Sequence, residues 1–195
     1  MAITAEKIGY ETFSIDWVNF NEEMDLVIDI EYLKTEDVPF VPDVVWASPD
    51  CTTYSIAAIS THRNGTLPKS DYAKKCDRVN MHVLELISQW LVLNPELKFF
   101  IENPRGMLRK MPFMQGLDRH TIWYCQYGDD RAKPTDIWTN SKDWIPRPVC
   151  RNGNRDCHHQ PAPRGSKTGT QGRKNSYLRS VIPQELCYEI LNTIK

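Results

Sequence analysis

The chain has 195 residues and carries 24 Lys and Arg against 25 Asp and Glu, so its net charge is −1. Its hydrophobic content of 41% and charged content of 25% are typical of a globular domain, which excludes an intrinsically disordered chain and a coiled coil. No apolar run reaches the roughly 18 residues of a membrane span, and Met1 to Tyr10 lacks the apolar stretch of a signal peptide, so we expect a cytoplasmic protein.

The predicted elements alternate between short strands and helices. Residues 2–9 resemble the end of a helix that Gly9 terminates. Helices are also predicted at Asp77–Leu93, from its apolar stripe at helical spacing, and at Pro183–Ile194. Strands are predicted at Glu11–Ile15, Asp25–Ile30, Asp43–Ala47, Lys98–Ile101, Thr121–Gln126 and Asp136–Thr139, most of them continuous apolar runs. This alternation predicts an α/β fold with a doubly wound, mostly parallel sheet.

The charge is distributed unevenly along the chain. Residues 141–195 carry 10 Lys and Arg against 4 Asp and Glu, whereas residues 1–140 carry 14 against 21. Residues 144–180 are rich in Gly and Pro and show little periodicity. We therefore expect a core at 1–143, a basic loop-rich segment at 144–180, and a C-terminal helix at 181–195 that packs on the core. A basic segment suggests a polyanionic partner, although a solvated basic tail has the same composition.

Polar residues follow several of the predicted strands. Ligands of a doubly wound sheet bind at the carboxyl ends of its strands, so these positions are the candidate functional residues. They are Asp16–Trp17, Asp29–Ile30, Ser48–Cys51, Glu102–Pro104 and Tyr127–Lys133. This layout predicts a thiol, two carboxylates and two cations around one edge of the sheet.

Two of these residues have side chains suited to catalysis. Cys51 is either a nucleophile or a small buried hydrophobic residue, and Asp50 beside it is expected to raise the pKa of the thiol. Glu102 ends an apolar strand, where partial removal from water suits a proton donor, and the alternative is a surface Glu in a turn. Cys76, Cys125 and Cys187 are assigned to simple burial.

Several strand-end segments, taken in chain order, resemble the motifs of the DNA (cytosine-5) methyltransferases. They are Pro49-Asp50-Cys51 with Tyr54-Ser55, Glu102-Asn103-Pro104, and Tyr127-Gly128-x-x-Arg131-x-Lys133. Asp16-Trp17 and Asp29-Ile30 are similar to two cofactor motifs of the family, and Arg179 to Leu186 to a late motif. The resemblance covers Tyr10 to Thr139 and the last helix, and implies a Rossmann-like methyltransferase sheet. Short phage-encoded members, which act in the host cytoplasm, are the relatives we expect.

The resemblance implies a reaction and a role for each residue. A methyl group passes from S-adenosylmethionine to carbon 5 of a cytosine flipped out of double-stranded DNA. Cys51 forms a covalent adduct with the base, Glu102 acts on ring nitrogen 3, and Arg131 binds the base carbonyl oxygen and a phosphate. The implied cofactor-binding residues are Asp16, Trp17, Asp29, Ile30 and Pro49, and the implied substrate-binding residues are Ser55, Asn103 and Lys133.

The chain departs from the family pattern at its start. The family opens with a strand and a Phe-x-Gly-x-Gly loop that binds the cofactor, whereas Gly9 is the only glycine here before Gly65. We expect this first strand to be missing and favour truncation, either of the product or because Met1 is internal to a longer protein. The remaining possibility is that another segment or chain fills the gap. The alternative function is then a catalytically inactive methyltransferase-fold protein that binds DNA or a regulator.

The basic segment stands where the family carries a target-recognition region. Its cations Arg164, Lys167, Arg173 and Lys174 are expected to contact DNA phosphates. The segment also contains Cys150, Cys157, His158 and His159, but the spacing is not that of a standard zinc motif. We assign no metal, and name Cys150, Cys157 and His158 as a weak zinc candidate.

Overall fold

The computed structural model describes residues 1–19, 22–162 and 176–194 of the chain. The helices are α1 (Ala2–Lys7), α2 (Ile59–His62), α3 (Asp71–Leu93), α4 (Ser176–Ser180) and α5 (Gln184–Thr193). The strands are β1 (Ile15–Asp16), β2 (Leu26–Val27), β3 (Val44–Ala47), β4 (Arg63–Asn64), β5 (Leu67–Pro68), β6 (Lys98–Pro104), β7 (Arg119–Trp123) and β8 (Pro134–Thr139).

The main sheet is mixed, with the strand order β3-β6-β8-β7. Strands β3 and β6 are parallel, whereas β8 runs antiparallel to both of its neighbours. The prediction of a mostly parallel sheet is therefore wrong. The physical reason is the ten-residue connection between β7 and β8, which is too short for a crossover helix and so joins antiparallel strands.

Helices cover both faces of this sheet, which confirms the α/β class. Side chains alternate along β6, so Phe99 and Ile101 pack on the α3 side while Phe100 packs on the α5 side. Leu86 of α3 and Ile190 of α5 are buried in the two respective cores. Burial of the strands on both faces explains their continuous apolar runs.

The short pair β1 and β2 is parallel and forms a separate two-stranded sheet. Among the described residues, β3 pairs with β6 and its other edge has no strand partner. The expected missing strand would lie at that edge, and its loss from this chain by truncation stays a prediction.

The helix bounds differ from prediction mainly at the start of α3. It begins at Asp71, six residues before the predicted Asp77, because the Ser70 hydroxyl accepts a hydrogen bond from the Ala73 amide at 3.1 Å and caps the helix. Helix α5 lies within the predicted range, and Gly9 ends α1 with a φ of 90°.

Several strands are shorter than predicted. Residues 11–14 and 28–30 lie outside β1 and β2, and the Asp29 carboxylate caps the 3-10 helix Ile30–Tyr32. Strand β7 ends at Trp123 and continues into the 3-10 helix Tyr124–Tyr127, which overrides the predicted strand at 124–126. By contrast, β6 extends beyond the predicted Ile101 to Pro104.

The described part of the basic segment packs against α5. The Trp144 side chain is buried, and its indole N–H donates to Glu189 Oε1 at 3.1 Å. Arg147 forms ion pairs of 2.7 Å with both Glu185 and Glu189. The division of the chain at 143 and 180 stays a prediction. In the part of the chain that the structure describes, no helix is long and apolar enough to cross a membrane.

Candidate active site

The predicted catalytic residues lie at one edge of the main sheet. Ala47 of β3 is paired with Ile101 of β6, so the residues after these parallel strands, including Cys51 and Glu102, emerge side by side. Strand β8 runs in the opposite direction and its residue Thr135 is paired with Pro104. The residues just before β8 therefore reach the same edge.

Cys51 lies at the N-terminal cap of the 3-10 helix Thr52–Tyr54 and is half-buried. Burial raises the pKa of its thiol, and the negative charges of Asp50 and Glu102 raise it further, while Lys133 acts in the opposite direction. Both acidic residues and the lysine thus lie close enough to influence the thiolate. The direction expected from Asp50 agrees with the sequence prediction.

Glu102 is buried, and two neighbours contact the same carboxylate oxygen. The Tyr124 hydroxyl donates to Glu102 Oε1 at 2.9 Å, and Lys133 Nζ lies 3.9 Å from that oxygen. Burial, with the charge of Glu102, raises the pKa of Tyr124, so the tyrosine stays a neutral donor. Burial also lowers the pKa of Lys133, which lies 4.4 Å from the centroid of the Tyr124 ring.

Arg131 is buried, and its guanidinium is hydrogen-bonded to other residues of the chain. Its guanidinium forms a bidentate ion pair with Asp129. The remaining N–H groups donate to the backbone carbonyls of Leu178 and Arg179, each at 3.0 Å, and of Val181 at 3.1 Å. All five guanidinium N–H groups are therefore engaged within the chain, and the predicted substrate contact would have to displace one of these bonds.

Asn103 connects the ends of the two parallel strands. Its side-chain amide donates to the Pro49 carbonyl at 2.9 Å, so Pro49 is held beside the Glu102 strand. Its Oδ1 atom is buried and has no hydrogen-bond partner among the described residues. Ser55 ends the 3-10 helix after Cys51.

A buried ion pair that the sequence did not reveal anchors this 3-10 helix. Arg63 is inaccessible to solvent and donates to Asp77 Oδ1 at 2.7 Å and to the Thr53 carbonyl at 2.9 Å. The Tyr54 hydroxyl donates to the same Asp77 oxygen at 2.7 Å. These bonds attach the 3-10 helix after Cys51 to α3. The sequence analysis had singled out only Tyr54 of these residues, through its resemblance to a motif residue.

Gly106 also constrains the position of the 3-10 helix Thr52–Tyr54 that follows Cys51. A Cβ atom at residue 106 would lie 2.5 Å from the Tyr54 carbonyl oxygen, a separation that real Cβ atoms do not show. A glycine is therefore required where the loop after β6 passes this 3-10 helix.

The predicted cofactor residues follow β1 and β2. The Trp17 side chain is 71% exposed, and Asp16 accepts a hydrogen bond from the Val18 amide. Asp29 is already paired, since Lys75 and the Glu31 amide each donate to one of its oxygens. The hydrogen bond from Lys75 lowers the pKa of Asp29. Ile30, in the 3-10 helix that Asp29 caps, packs against the α3-side core.

The predicted phosphate contacts Arg164, Lys167, Arg173 and Lys174 lie outside the described residues. The cysteines and histidines of the basic segment are among the described residues, but the residues that cluster together differ from those predicted. The side-chain ligand atoms of Cys125, Cys150, Cys157 and His159 all lie within 4.8 Å of one another. His158, named in the sequence prediction, is not part of this group, and its Nε2 contacts the Asp129 carbonyl at 3.0 Å. Cys125 is buried, as expected, yet also belongs to this group.

No protein-family model matches the chain. Among curated proteins it is similar to a probable DNA (cytosine-5)-methyltransferase of frog virus 3 (isolate Goorha), with 24% identity over 202 aligned residues. The alignment covers 96% of this chain and 91% of the relative. Since the similarity extends over nearly the whole length of both proteins, it is a likeness to the whole relative and not to one short motif.

Proposed function

We propose that this protein transfers a methyl group from S-adenosylmethionine to carbon 5 of cytosine in DNA, with Cys51 as the nucleophile. The observation that carries the proposal is the convergence of Cys51, Glu102 and Lys133 at one sheet edge. A thiol, a buried carboxyl group and a buried cation are the groups that addition to a cytosine ring requires.

The reaction begins with addition of the Cys51 thiolate to carbon 6 of the base. The new S–C6 bond shifts ring electrons toward carbon 5, which is otherwise a poor nucleophile. S-adenosylmethionine, when bound, would supply an electrophilic methyl group to that carbon; its methyl–sulfur bond would break, and S-adenosylhomocysteine would leave. Loss of the proton from carbon 5 and cleavage of the S–C6 bond then restore the ring and free the thiolate of Cys51.

Glu102 is suited to act on ring nitrogen 3. Tyr124 and Lys133 both contact its Oε1 atom, and we assign the contact with the base to Oε2. A proton or hydrogen bond delivered to nitrogen 3 stabilises the charge that develops when the thiolate adds. The buried surroundings strengthen that interaction, because water does not compete with it.

Lys133, rather than Arg131, is the cation beside the reacting groups. Its charge acts on both Cys51 and Glu102, and its Nζ donates to the Arg179 carbonyl at 3.1 Å. We therefore propose Lys133 as the donor to the base carbonyl oxygen. Arg131 serves as a positioning residue, because its bonds attach residues 178–181 to the site.

The residues after β1 fit the adenosine part of the cofactor. Trp17 presents an exposed aromatic ring on which adenine can stack, and the Asp16 carboxylate retains acceptor capacity for ribose hydroxyls. Asp29 would accept from the adenine amino group only by sharing its carboxylate with Lys75. Trp17 and Asp16 are thus the main cofactor contacts that we propose.

Substitution Cys51→Ala tests the nucleophile. We expect it to abolish methyl transfer to duplex DNA and to leave DNA binding unchanged, because the thiol acts in chemistry and not in phosphate contact. Transfer of labelled methyl groups and fluorescence anisotropy of labelled DNA measure the two properties. Cys187→Ala, at a buried cysteine on α5, is the matched control and retains transfer. Persistent transfer by the Cys51→Ala variant would contradict the proposal.

Cofactor binding is tested separately by calorimetry with the full chain. We expect S-adenosylmethionine to bind in the micromolar range, and Trp17→Ala to weaken binding by about tenfold, since base stacking contributes roughly 1–3 kcal/mol. Tyr32→Ala, at a 68% exposed aromatic residue, is the control and leaves binding unchanged. A folded chain that binds DNA but no cofactor would instead support the non-catalytic alternative.

A further inference from the structure

Three cysteines and one histidine meet beside residues 128–133, the loop before β8, which we call the catalytic loop. Cys125 lies in the 3-10 helix after β7, whereas Cys150, Cys157 and His159 lie in the irregular stretch that follows β8. Their four ligand atoms lie within 4.8 Å of one another. Cys125 and His159 are buried, and the other two cysteines are half-buried. The group thus joins two segments that are distant in sequence.

We propose that Cys125, Cys150, Cys157 and His159 bind a structural zinc ion. Zinc in structural sites takes four tetrahedral sulfur and nitrogen ligands, at about 2.3 Å for sulfur and 2.0 Å for nitrogen. In a tetrahedron those bond lengths place two sulfur atoms about 3.8 Å apart, and a sulfur and a nitrogen atom about 3.5 Å apart. Cys150 Sγ already lies 3.8 Å from His159 Nδ1, so this edge of the tetrahedron is close to its final length.

Amide groups point at the sulfur atoms of this cluster. The Gln126 side-chain amide lies 3.9 Å from Cys125 Sγ and 3.8 Å from Cys157 Sγ, and Asn154 Nδ2 lies 3.6 Å from Cys150 Sγ. Each N–H group directed at a sulfur stabilises the thiolate, which is the form that binds zinc. The second layer around the ligands therefore suits a metal centre better than three neutral thiols.

The structure distinguishes between the two adjacent histidines. His158 Nε2 contacts the Asp129 carbonyl at 3.0 Å, while His159 Nδ1 faces the cysteines. The Gly153 amide points at His159 Nε2 at 3.3 Å. Zinc on Nδ1 places the ring proton on Nε2, so this last contact is given up when the metal binds.

The zinc ion would cross-link a stretch that lacks regular secondary structure. Residues 140–162 contain no helix or strand, and irregular stretches of this length are uncommon in compact domains. The cluster lies next to the catalytic loop, since Gln160 forms a bridge with Arg131 and its amide donates to the Asp130 carbonyl at 2.9 Å. With all four ligands from the protein, the centre is closed and structural rather than catalytic.

The metal content of the full chain, purified without chelators, tests this proposal. We expect one zinc ion per chain by mass spectrometry of the metal, and its loss in the Cys150→Ser and His159→Ala variants. His158→Ala is the matched control and retains the zinc. A chain that contains no zinc, and takes up none when zinc is added after chelation, overturns the proposal, as does loss of zinc from His158→Ala with retention by His159→Ala.

Cobalt substitution keeps the test decisive if those variants fail to fold. The unaltered chain loaded with Co²⁺ is expected to show the visible absorption of tetrahedral cobalt and a near-ultraviolet thiolate-to-metal band. A cobalt spectrum without thiolate bands overturns the assignment. So does a disulfide between two of these cysteines, detected without reductant as a chain mass two units lower and located by peptide mapping. These readouts do not depend on methyl transfer and are therefore independent of the proposed function.

Discussion

The Asp50–Cys51 pair defines the chemistry of the site at the scale of single residues. Burial and two nearby carboxylates raise the pKa of the Cys51 thiol, so the folded protein keeps it mainly protonated at neutral pH. Because the thiolate is the reactive form, attack by Cys51 accelerates as the pH rises toward that raised pKa. Lys133 is the cation that limits the effect.

Substitution Asp50→Asn isolates the contribution of the neighbouring charge. The asparagine side chain keeps an oxygen that accepts from the Thr52 backbone N–H, but it carries no negative charge. The pKa of Cys51 therefore falls. The lower pKa makes alkylation of Cys51 faster at pH 7.5, because a larger fraction of the thiol is ionised. Site-resolved mass spectrometry after iodoacetamide treatment measures the rate. Asp118→Asn, whose carboxylate pairs with Lys142, is the control, and equal rates in both variants would contradict this assignment.

At the scale of elements, the contact between the 3-10 helix Thr52–Tyr54 and α3 positions Cys51. The contact depends on Arg63 and Asp77, which lie in different elements and meet only in the folded chain. Neither residue carries a signal in the sequence, because helical periodicity identifies which side chains are buried and not which charged groups they meet. Asp77 stood in the sequence prediction only as the start of a helix.

Substitution Arg63→Met is expected to destabilise the fold by about 3–5 kcal/mol, since it leaves the Asp77 carboxylate without its buried partner. Urea unfolding followed by circular dichroism measures the change. Adding Asp77→Leu to that variant recovers part of the loss, because no buried charge then remains. Lys74→Gln, at an exposed ion pair with Asp71, is the control and leaves the unfolding midpoint unchanged. A similar midpoint in all three variants would contradict the assigned role of the pair.

The sequence predicted most of the site because sheet geometry is regular. Residues that follow neighbouring parallel strands must share an edge, so Cys51 and Glu102 could be placed together without knowing any side-chain contact. The direction of β8 and the engagement of Arg131 could not be predicted, since both depend on which strands and carbonyl groups become neighbours. The same holds for His159, because the sequence alone does not determine which of two adjacent rings turns toward the cysteines.

The uneven charge belongs to the scale of the whole molecule. Residues 1–140 are acidic and residues 141–195 are basic, so the chain presents opposite charges to its surroundings. Such a charge distribution orients the protein as it approaches a polyanion, so that the basic part makes the first contact. DNA affinity should therefore depend on the cations of that part, and should fall steeply with salt.

Neutralising Arg164, Lys167, Arg173 and Lys174 together tests this dependence. If all four contact phosphates, the slope of log affinity against log salt decreases in magnitude by up to about 3.6, because each contact contributes roughly 0.9. Anisotropy titrations over a range of salt concentrations measure the slope. Neutralising Lys7 at the end of α1 and Lys142 after β8 provides a control away from the cysteine edge. An unchanged slope in the quadruple variant would exclude this segment as the DNA contact.

The contacts of Arg131 bear on how the segment between Gln160 and Leu178 can change during evolution. Gln160 forms a bridge with this residue, and the carbonyls of Leu178 and Arg179 accept from its guanidinium, so the chain leaves Arg131 and returns to it. Doubling the length of a loop closed at fixed ends costs only about 0.6 kcal/mol. The intervening residues can therefore be lengthened or exchanged as a cassette while the sheet and its catalytic edge stay the same. If this segment contacts DNA as we propose, its exchange would change the target preference and leave Cys51 and Glu102 in place.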